Sequence, residues 1–296
     1  MRYTLRQLQV FLATARQQNL SRAADSLAMS QSAASGALRD FEQSFGLELF
    51  DRIGKRLKIN ELGLSLQPKA EDLLERAQDL EDSLKVGGAP GHLRVGATLT
   101  IGNYLAVRMM ADFRETLPQA ELSLTVANTS SIAAQVAAYE LDVGLIEGEL
   151  RHSDLEISHW RDDELVVFAA PGHPFANLPA LDDEQLLNSP WVVREPGSGT
   201  RQTFDRAMAG ILPEMDLSLE LQHTEAIKQA VAAGLGLGCL SRICLQEDFQ
   251  RGSLVPVRVP TRDFRRRFSI VLRRDKYRGA GLKAWLALCQ AQRKQA

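Results

Sequence analysis

Residues 31 to 45 constrain this 296-residue chain more than any others. Gln31-Ser-Ala-Ala-Ser-Gly-Ala37 is a run of small residues, and Leu38, Phe41 and Phe45 follow at spacings of three and four. Apolar residues at that spacing share one face of a helix, and that face needs a core. The leading end of the helix stays slim and polar. Ahead of it, Ala23, Ala24 and Leu27 share a face of a shorter helix. Ala28-Met29 breaks that helix, and Ser30 is a good N-cap for the next. Two short helices joined by a tight break, the second narrow at its start, predict a helix-turn-helix. Its second helix has the shape that enters a groove of DNA.

The residue types along that helix suit base reading. Ser30, Gln31, Ser32 and Ser35 lie at the leading end, with Arg39 one turn further on. An amide can read adenine, and an arginine can read guanine or clamp a phosphate. A basic hairpin follows. Gly54 permits a turn, and Lys55, Arg56 and Lys58 return with Leu57 and Ile59 between them. Arg52, Lys55 and Arg56 are expected to hold phosphate or minor groove.

Charge is placed to match. Residues 1 to 60 hold nine Lys/Arg against five Asp/Glu, which leaves 26 against 32 for the remainder. A basic head on an acidic body suits a nucleic-acid module joined to something else. No run of 18 apolar residues predicts a membrane span, and the N-terminus has no signal-peptide core. The expected location is the cytoplasm. Cys239, Cys244 and Cys289 form no ligand cluster and no even framework, so they read as buried apolar residues in a reducing compartment.

Asn60 then caps a long helix over about 61 to 86. Leu66, Ala70, Leu73, Ala77, Leu80 and Leu84 step by four and three, a heptad seam. Pro68 should kink its first turns. So narrow a stripe needs a partner, and the same helix of a second subunit is the economical one. Gly87-Gly-Ala-Pro-Gly91 reads as a hinge.

Beyond the hinge, strands alternate with helices. Strands are expected at 93–97, 121–126, 143–146, 165–169, 191–194, 217–221, 237–240 and 268–272. Helices are expected near 101–115 and 132–139, from Thr200, over 225–233 and over 281–292. This alternation implies parallel sheets. Four segments end a strand in small hydroxylated residues and open a helix: Thr98-Leu-Thr100, Asn128-Thr-Ser130-Ser, Ser198-Gly-Thr200-Arg201 and His223-Thr-Glu225. Ligands of open α/β sheets bind beyond such strand ends, where free N–H groups favour an anion. Hydroxyls of Thr98, Thr100, Ser130, Ser198 and Thr200 can add donors, and Arg201 is the obvious countercharge. Glu147 and Glu225 lie at the same level, and Glu147 with Glu195 argues against a large polyanion. Taken singly, each of these Ser and Thr residues also reads as a plain N-cap.

Other motifs carry less. His92, His152, His159 and His223 lack metal spacing, and no Walker loop or Gly-x-Ser-x-Gly occurs. Gly234-Leu-Gly-Leu-Gly238 follows a helix and enters a strand, the wrong order for a dinucleotide. No cofactor, no metal and no catalysis are expected.

Ser30-Gln-Ser-Ala-Ala-Ser35, Leu38-Arg-Asp-Phe-Glu42 and Phe45-Gly-Leu-Glu-Leu-Phe-Asp-Arg52 resemble the N-terminal signature of LysR-type transcriptional regulators. Leu5-Arg-Gln-Leu-Gln-Val-Phe-Leu-Ala13 is similar to the family's first helix. Ser32 stands where the family usually has Pro, and Asn60 where it usually has Thr. The resemblance implies a multi-domain chain. An all-α winged helix-turn-helix head would span residues 1–59, and a linker dimerisation helix with hinge 60–89. A two-lobed α/β body like a periplasmic binding protein would span 90–296, with crossings near Arg161 and Arg265. Lobe one would hold 90–161 and 266–296, and lobe two 162–265. Glu195-Pro-Gly-Ser-Gly-Thr-Arg201 resembles the branch with regulators of sulfur assimilation and carbon dioxide fixation. That branch implies a small oxyanion or small carboxylate as effector, double-stranded promoter DNA as partner, and a homodimer that assembles into a tetramer.

A reading from another class is an anion-binding protein whose N-terminal helices serve protein contacts. The slim second helix and the basic hairpin weigh against it.

Overall fold

The computed structural model describes residues 2–53, 56–84 and 92–293, with the side chains at 52, 53, 56, 79 and 82–84 outside that description. Two compact units emerge, Met1–Gly91 with Asp275–Gly279 and His92–Arg274 with Ala280–Ala296.

In the first unit, α1 (Leu5–Gln17) opens on a capping box between Thr4 and Gln7. Asn19 caps α2 (Leu20–Ser26). Ser30 caps α3 (Gln31–Phe45), its Oγ accepting from the Ala33 N–H at 3.2 Å. Gly46 closes α3 at φ 65°, a conformation that suits a residue without Cβ. β1 (Phe50–Ile53) pairs antiparallel with β2 (Arg56–Ile59), placing Asp51 opposite Lys58. A single core gathers Phe11, Leu38, Phe41, Phe50 and Ala70.

Ala70 belongs to α4 (Glu61–Leu84), whose start is capped by the Asn60 side chain. The helix runs unbroken through Pro68, which costs it one backbone bond in its second turn. The expected seam divides along its length. Ala70 is buried, and Leu66 and Leu73 lean on the core of the head. Leu80 is 64% exposed. The first half of the stripe is therefore used within the chain, a correction to its assignment to a second subunit. An apolar stripe does not name its partner, and the head is the apolar surface already tethered beside it. Buried Glu71 adds an ion pair to Arg16 of α1 at 2.6 Å. The hinge at 87–91 lies outside the described residues, as do Gly54 and Lys55.

The second unit begins with β3 (Leu93–Thr98) and α5 (Leu99–Ile101). A π-helical turn, Gly102–Ala106, leads from there into α6 (Val107–Thr116). There follow β4 (Leu122–Ala127), α7 (Thr129–Ala137), β5 (Val143–Glu147) and the long β6 (Leu155–Ala169). Next come α8 (Asp183–Leu187), β7 (Pro190–Arg194), α9 (Gly199–Ala207), β8 (Asp216–Leu221) and α10 (Thr224–Ala232). The chain continues with β9 (Leu237–Ser241), α11 (Arg242–Arg251), β10 (Val255–Val257), β11 (Arg265–Arg273) and α12 (Ala280–Arg293).

The strands follow one path, β4-β3-β5-β11-β6-β9-β7-β8, with β10 beside β6. The ends of the path are parallel, as the alternation predicts. The middle is antiparallel: β11 runs against β5 and β6, and β6 against β9. β6 spends its first half on β11 and its second on β9 and β10. Two lobes result, joined by these two strands, and Arg161 stands opposite Phe268 where they cross. A register slip between Phe268 and Ser269 leaves Trp160 without a partner in the ladder. Its indole N–H donates instead to the Cys289 carbonyl at 2.8 Å. Lobe one packs Trp160, Phe113 and Trp285 together, and lobe two packs Trp191, Phe204 and Met208.

The glycine run at 234–238 is a turn, as its order in the chain predicts. Gly236 has φ 139°, and a Cβ there would meet the Pro190 carbonyl oxygen at 2.3 Å.

Candidate functional site

In the head, Gln31, Ser32 and Arg39 are exposed and Ser35 is half-buried. Ala34, Leu38 and Phe41 turn the opposite face of α3 into the core. Ser30 is occupied as the cap, and its Oγ lies 3.1 Å from that of Ser32. The Gln31 amide lies exposed at the leading end, and the Arg39 guanidinium is exposed about two turns further on. Arg52 and Arg56 flank the hairpin turn on paired strands.

In the second unit, the strand ends converge on one buried carboxylate. Glu147 ends β5, and its Oε1 accepts from the Thr100 N–H at 2.8 Å. Its Oε2 accepts from the Thr200 hydroxyl at 3.1 Å and from Arg266 Nη1 at 2.8 Å. Arg266 also donates to Thr200 Oγ1 at 2.9 Å and, through Nε, to Asp163 at 2.6 Å. Ser241 Oγ completes Asp163 at 2.8 Å. The side chains of Glu147, Asp163 and Arg266 are 2%, 3% and 1% exposed. Two carboxylates share one guanidinium, so the cluster carries one net negative charge. Burial alone would raise the Glu147 carboxyl. The Arg266 guanidinium and the Thr100 donor outweigh it and hold the group below the usual carboxylate range.

The cluster spans the lobes. Glu147 and Thr100 belong to lobe one, Thr200 to lobe two, and Arg266 to a crossing strand. Two glycines permit the approach. A Cβ on Gly199 would lie 2.0 Å from the Glu147 carbonyl oxygen, and one on Gly197 (φ 85°) would lie 3.0 Å from Ser130 Oγ.

Two further links flank it. Ser130 N–H donates to the Gly197 carbonyl at 3.2 Å, and Asn128 Nδ2 reaches Glu195 at 3.3 Å, which Arg194 grips with a fork. On the other flank the Tyr104 hydroxyl donates to Glu225 Oε1 at 3.2 Å. Tyr104 sits in the π-helical turn, a distortion common at functional sites. Burial, chiefly, pushes its hydroxyl up to about 12. Lys228 pairs with Glu225 at 2.7 Å and with Asp248 at 2.8 Å.

These positions revise the predicted site. Thr100 and Thr200 both bond Glu147, and Thr98 is buried ahead of Thr100 at the start of α5. Ser130 joins the lobes from a more exposed place, and Glu225 is half of an ion pair at the rim. Ser198 serves as the cap of α9, so the plain reading holds there. Arg201 is not the countercharge. Its guanidinium turns away along lobe two and bonds Asp205, Glu220 and the Arg194 carbonyl at 2.8 to 3.0 Å. The cation buried among these residues is Arg266, which the sequence reading missed. All three cysteines are buried, and burial pushes the Cys244 and Cys289 thiols up to about 12. No cluster of metal-ligating residues and no helix long and apolar enough to cross a membrane occurs among the described residues.

A winged head over residues 5–64 matches the bacterial regulatory helix-turn-helix protein, lysR family, and residues 87–294 match the LysR substrate binding domain. The chain belongs to the LysR family of DNA-binding transcriptional regulators with an effector-binding domain. It is 40% identical to the uncharacterised HTH-type transcriptional regulator YeiE of Escherichia coli K12, over 98% of each chain. It is 34% identical to the RuBisCO operon transcriptional regulator of Allochromatium vinosum, over 93% of this chain and 92% of that one. That likeness agrees with the branch indicated by residues 195–201. Among solved structures, the Synechocystis PCC6803 CcmR regulatory domain in complex with 2-PG is 28% identical, with a TM-score of 0.64. The match covers 69% of this chain and 98% of that domain.

Proposed function

We propose that the chain is a cytoplasmic regulator whose grip on promoter DNA is set by a small anion, an oxyanion or small carboxylate, held between the two lobes. The observation that carries this reading is the donor set around Glu147. The Thr100 N–H, the Thr200 hydroxyl and the Arg266 guanidinium already hold a carboxylate there. A site that binds one carboxylate has the dipoles to bind another. The 2-PG complex of the CcmR regulatory domain supports a small-molecule effector in a body of this fold. A ligand that prefers one lobe arrangement shifts the chain toward it, and with it the spacing of paired heads.

Pairing would use the exposed second half of α4 near Leu80, with further contacts between bodies building a tetramer. The head would occupy 1–59, the linker 60–89 and the body 90–296. Gln31, Ser32, Ser35 and Arg39 would face bases, and Arg52, Lys55 and Arg56 the backbone. The test has two arms on the full-length chain. A gel shift with DNA upstream of its own gene should give a specific complex. Calorimetry with a panel of small oxyanions and carboxylates should find one that binds and alters that complex. A panel in which none binds would retire the anionic effector and leave the regulator standing.

A further inference from the structure

Three donors at the centre of the cleft, the Thr100 N–H, the Thr200 hydroxyl and the Arg266 guanidinium, are occupied by the chain itself. Glu147 bonds across the lobes rather than within one. It ends a strand of lobe one, yet its Oε2 bonds a hydroxyl of lobe two and a guanidinium of the crossing strand. Its Oε1 takes a backbone N–H at the mouth of another lobe-one element. Arg266 does not depend on it alone, because Asp163 holds the same guanidinium at 2.6 Å. The site therefore already carries more negative than positive charge, and a second anion beside an unmoved Glu147 would add to the imbalance in a water-poor setting.

We propose that Glu147 is an internal ligand of the effector site, which the effector must displace to bind. This rests on the anionic-effector reading and adds the mechanism of the switch. With Glu147 in place, its bonds to Thr200 and Arg266 hold the lobes in one arrangement. An incoming anion takes over the Thr100, Thr200 and Arg266 donors and frees the Glu147 side chain. The cross-lobe bonds are then made by a group not covalently tied to lobe one, so the lobes can settle at a different angle. Asp163 keeps Arg266 paired throughout, so the exchange never leaves a buried cation alone.

The device also sets selectivity. A ligand pays for each displacement, so weak or singly bonding anions such as chloride are excluded, and the effector must offer at least two oxygens to the vacated donors.

The test is rescue. Glu147→Ala in the full-length chain removes the internal carboxylate and leaves its donors. Its melting temperature should fall, and millimolar formate or acetate should recover part of the loss while leaving the wild-type chain unmoved. Glu147→Gln keeps the shape and removes the charge, and should bind any anion that the wild type binds about tenfold or more tightly. Formate acting equally on both chains, or on neither, overturns the proposal. So does an effector anion that binds wild type and Glu147→Gln equally well, an outcome that leaves the anionic-effector reading intact. Rescue of Glu147→Ala with no anion binding to wild type retires that reading and the displacement switch with it, leaving only a carboxylate-binding pocket that Glu147 fills. Should Glu147→Ala not fold, the Glu147→Gln comparison alone decides.

Discussion

The Glu147 carboxylate and the Arg266 guanidinium meet at 2.8 Å, 119 residues apart in the chain and shut away from solvent. Glu147 could not be buried there as an ion without the guanidinium, while Asp163 gives Arg266 a second partner and Thr100 and Thr200 bond what the pair leaves open.

Arg266→Met should destabilise the body strongly, by roughly 3–5 kcal/mol, because it strands Glu147 and Asp163 without their shared cation. Chemical denaturation monitored by tryptophan fluorescence reads this, since Trp160 and Trp285 are buried in the same lobe. A loss below 1 kcal/mol would mean the two carboxylates find other partners.

The same pair gives a pH signature. Glu147 titrates below its ordinary value of 4.5, so its contribution to stability is complete above that pH. It is lost as pH falls through the lowered value. Wild type should lose stability faster than Glu147→Gln as pH drops below about 4.5. Parallel melting curves for the two chains across that range would contradict the assignment.

Arg201→Ala separates a structural from a ligand role. It removes bonds to Asp205, Glu220 and the Arg194 carbonyl, on a side chain only 16% exposed. Stability should drop by about 1–3 kcal/mol, while affinity for any effector anion stays unchanged. A selective loss of ligand affinity would put Arg201 back in the cleft.

On DNA, Gln31→Ala should cost on the order of 1–3 kcal/mol on a specific site and much less on random sequence. Equal losses on both would reject base reading by this amide. Lys55→Ala is expected to act differently, lowering affinity on both and flattening the salt dependence by about one counterion.

Leu80→Glu tests assembly without touching the head. Leu80 is 64% exposed, whereas Leu73 also packs the head core. Light scattering should show a smaller particle with unchanged helix content. The mass staying the same would place the subunit contact elsewhere.

The head was legible because its signals are local. The Ser30 cap, the Ala28-Met29 break and the Leu38, Phe41 face each depend on neighbours within a few positions. The cleft was legible only in part. Hydroxyls at strand ends pointed to Thr100 and Thr200, but nothing nearby marks Arg266 among three consecutive arginines, Arg265 to Arg267. Only its place on β11 decides the matter. Arg266 stands opposite Asp163 and turns inward, while Arg265 and Arg267 stand opposite Glu164 and Asp162 and turn outward. Arg201 misled for the converse reason: the first turn of a helix offers several directions, and Asp205 one turn on claimed it. The α4 stripe gave the right spacing and an incomplete partner, since periodicity carries no address.

The crossing of β6 and β11 also bears on how such a body can be built. Lobe two is a single continuous stretch of chain that leaves lobe one beside Arg161 and returns beside Phe268, its cross-strand partner. Its entry and exit are therefore neighbours, a few ångströms apart across an antiparallel ladder. An element with adjacent ends behaves as a cassette. It can be exchanged for a relative's second lobe, carrying a different half of the ligand site, without disturbing the sheet order of the first.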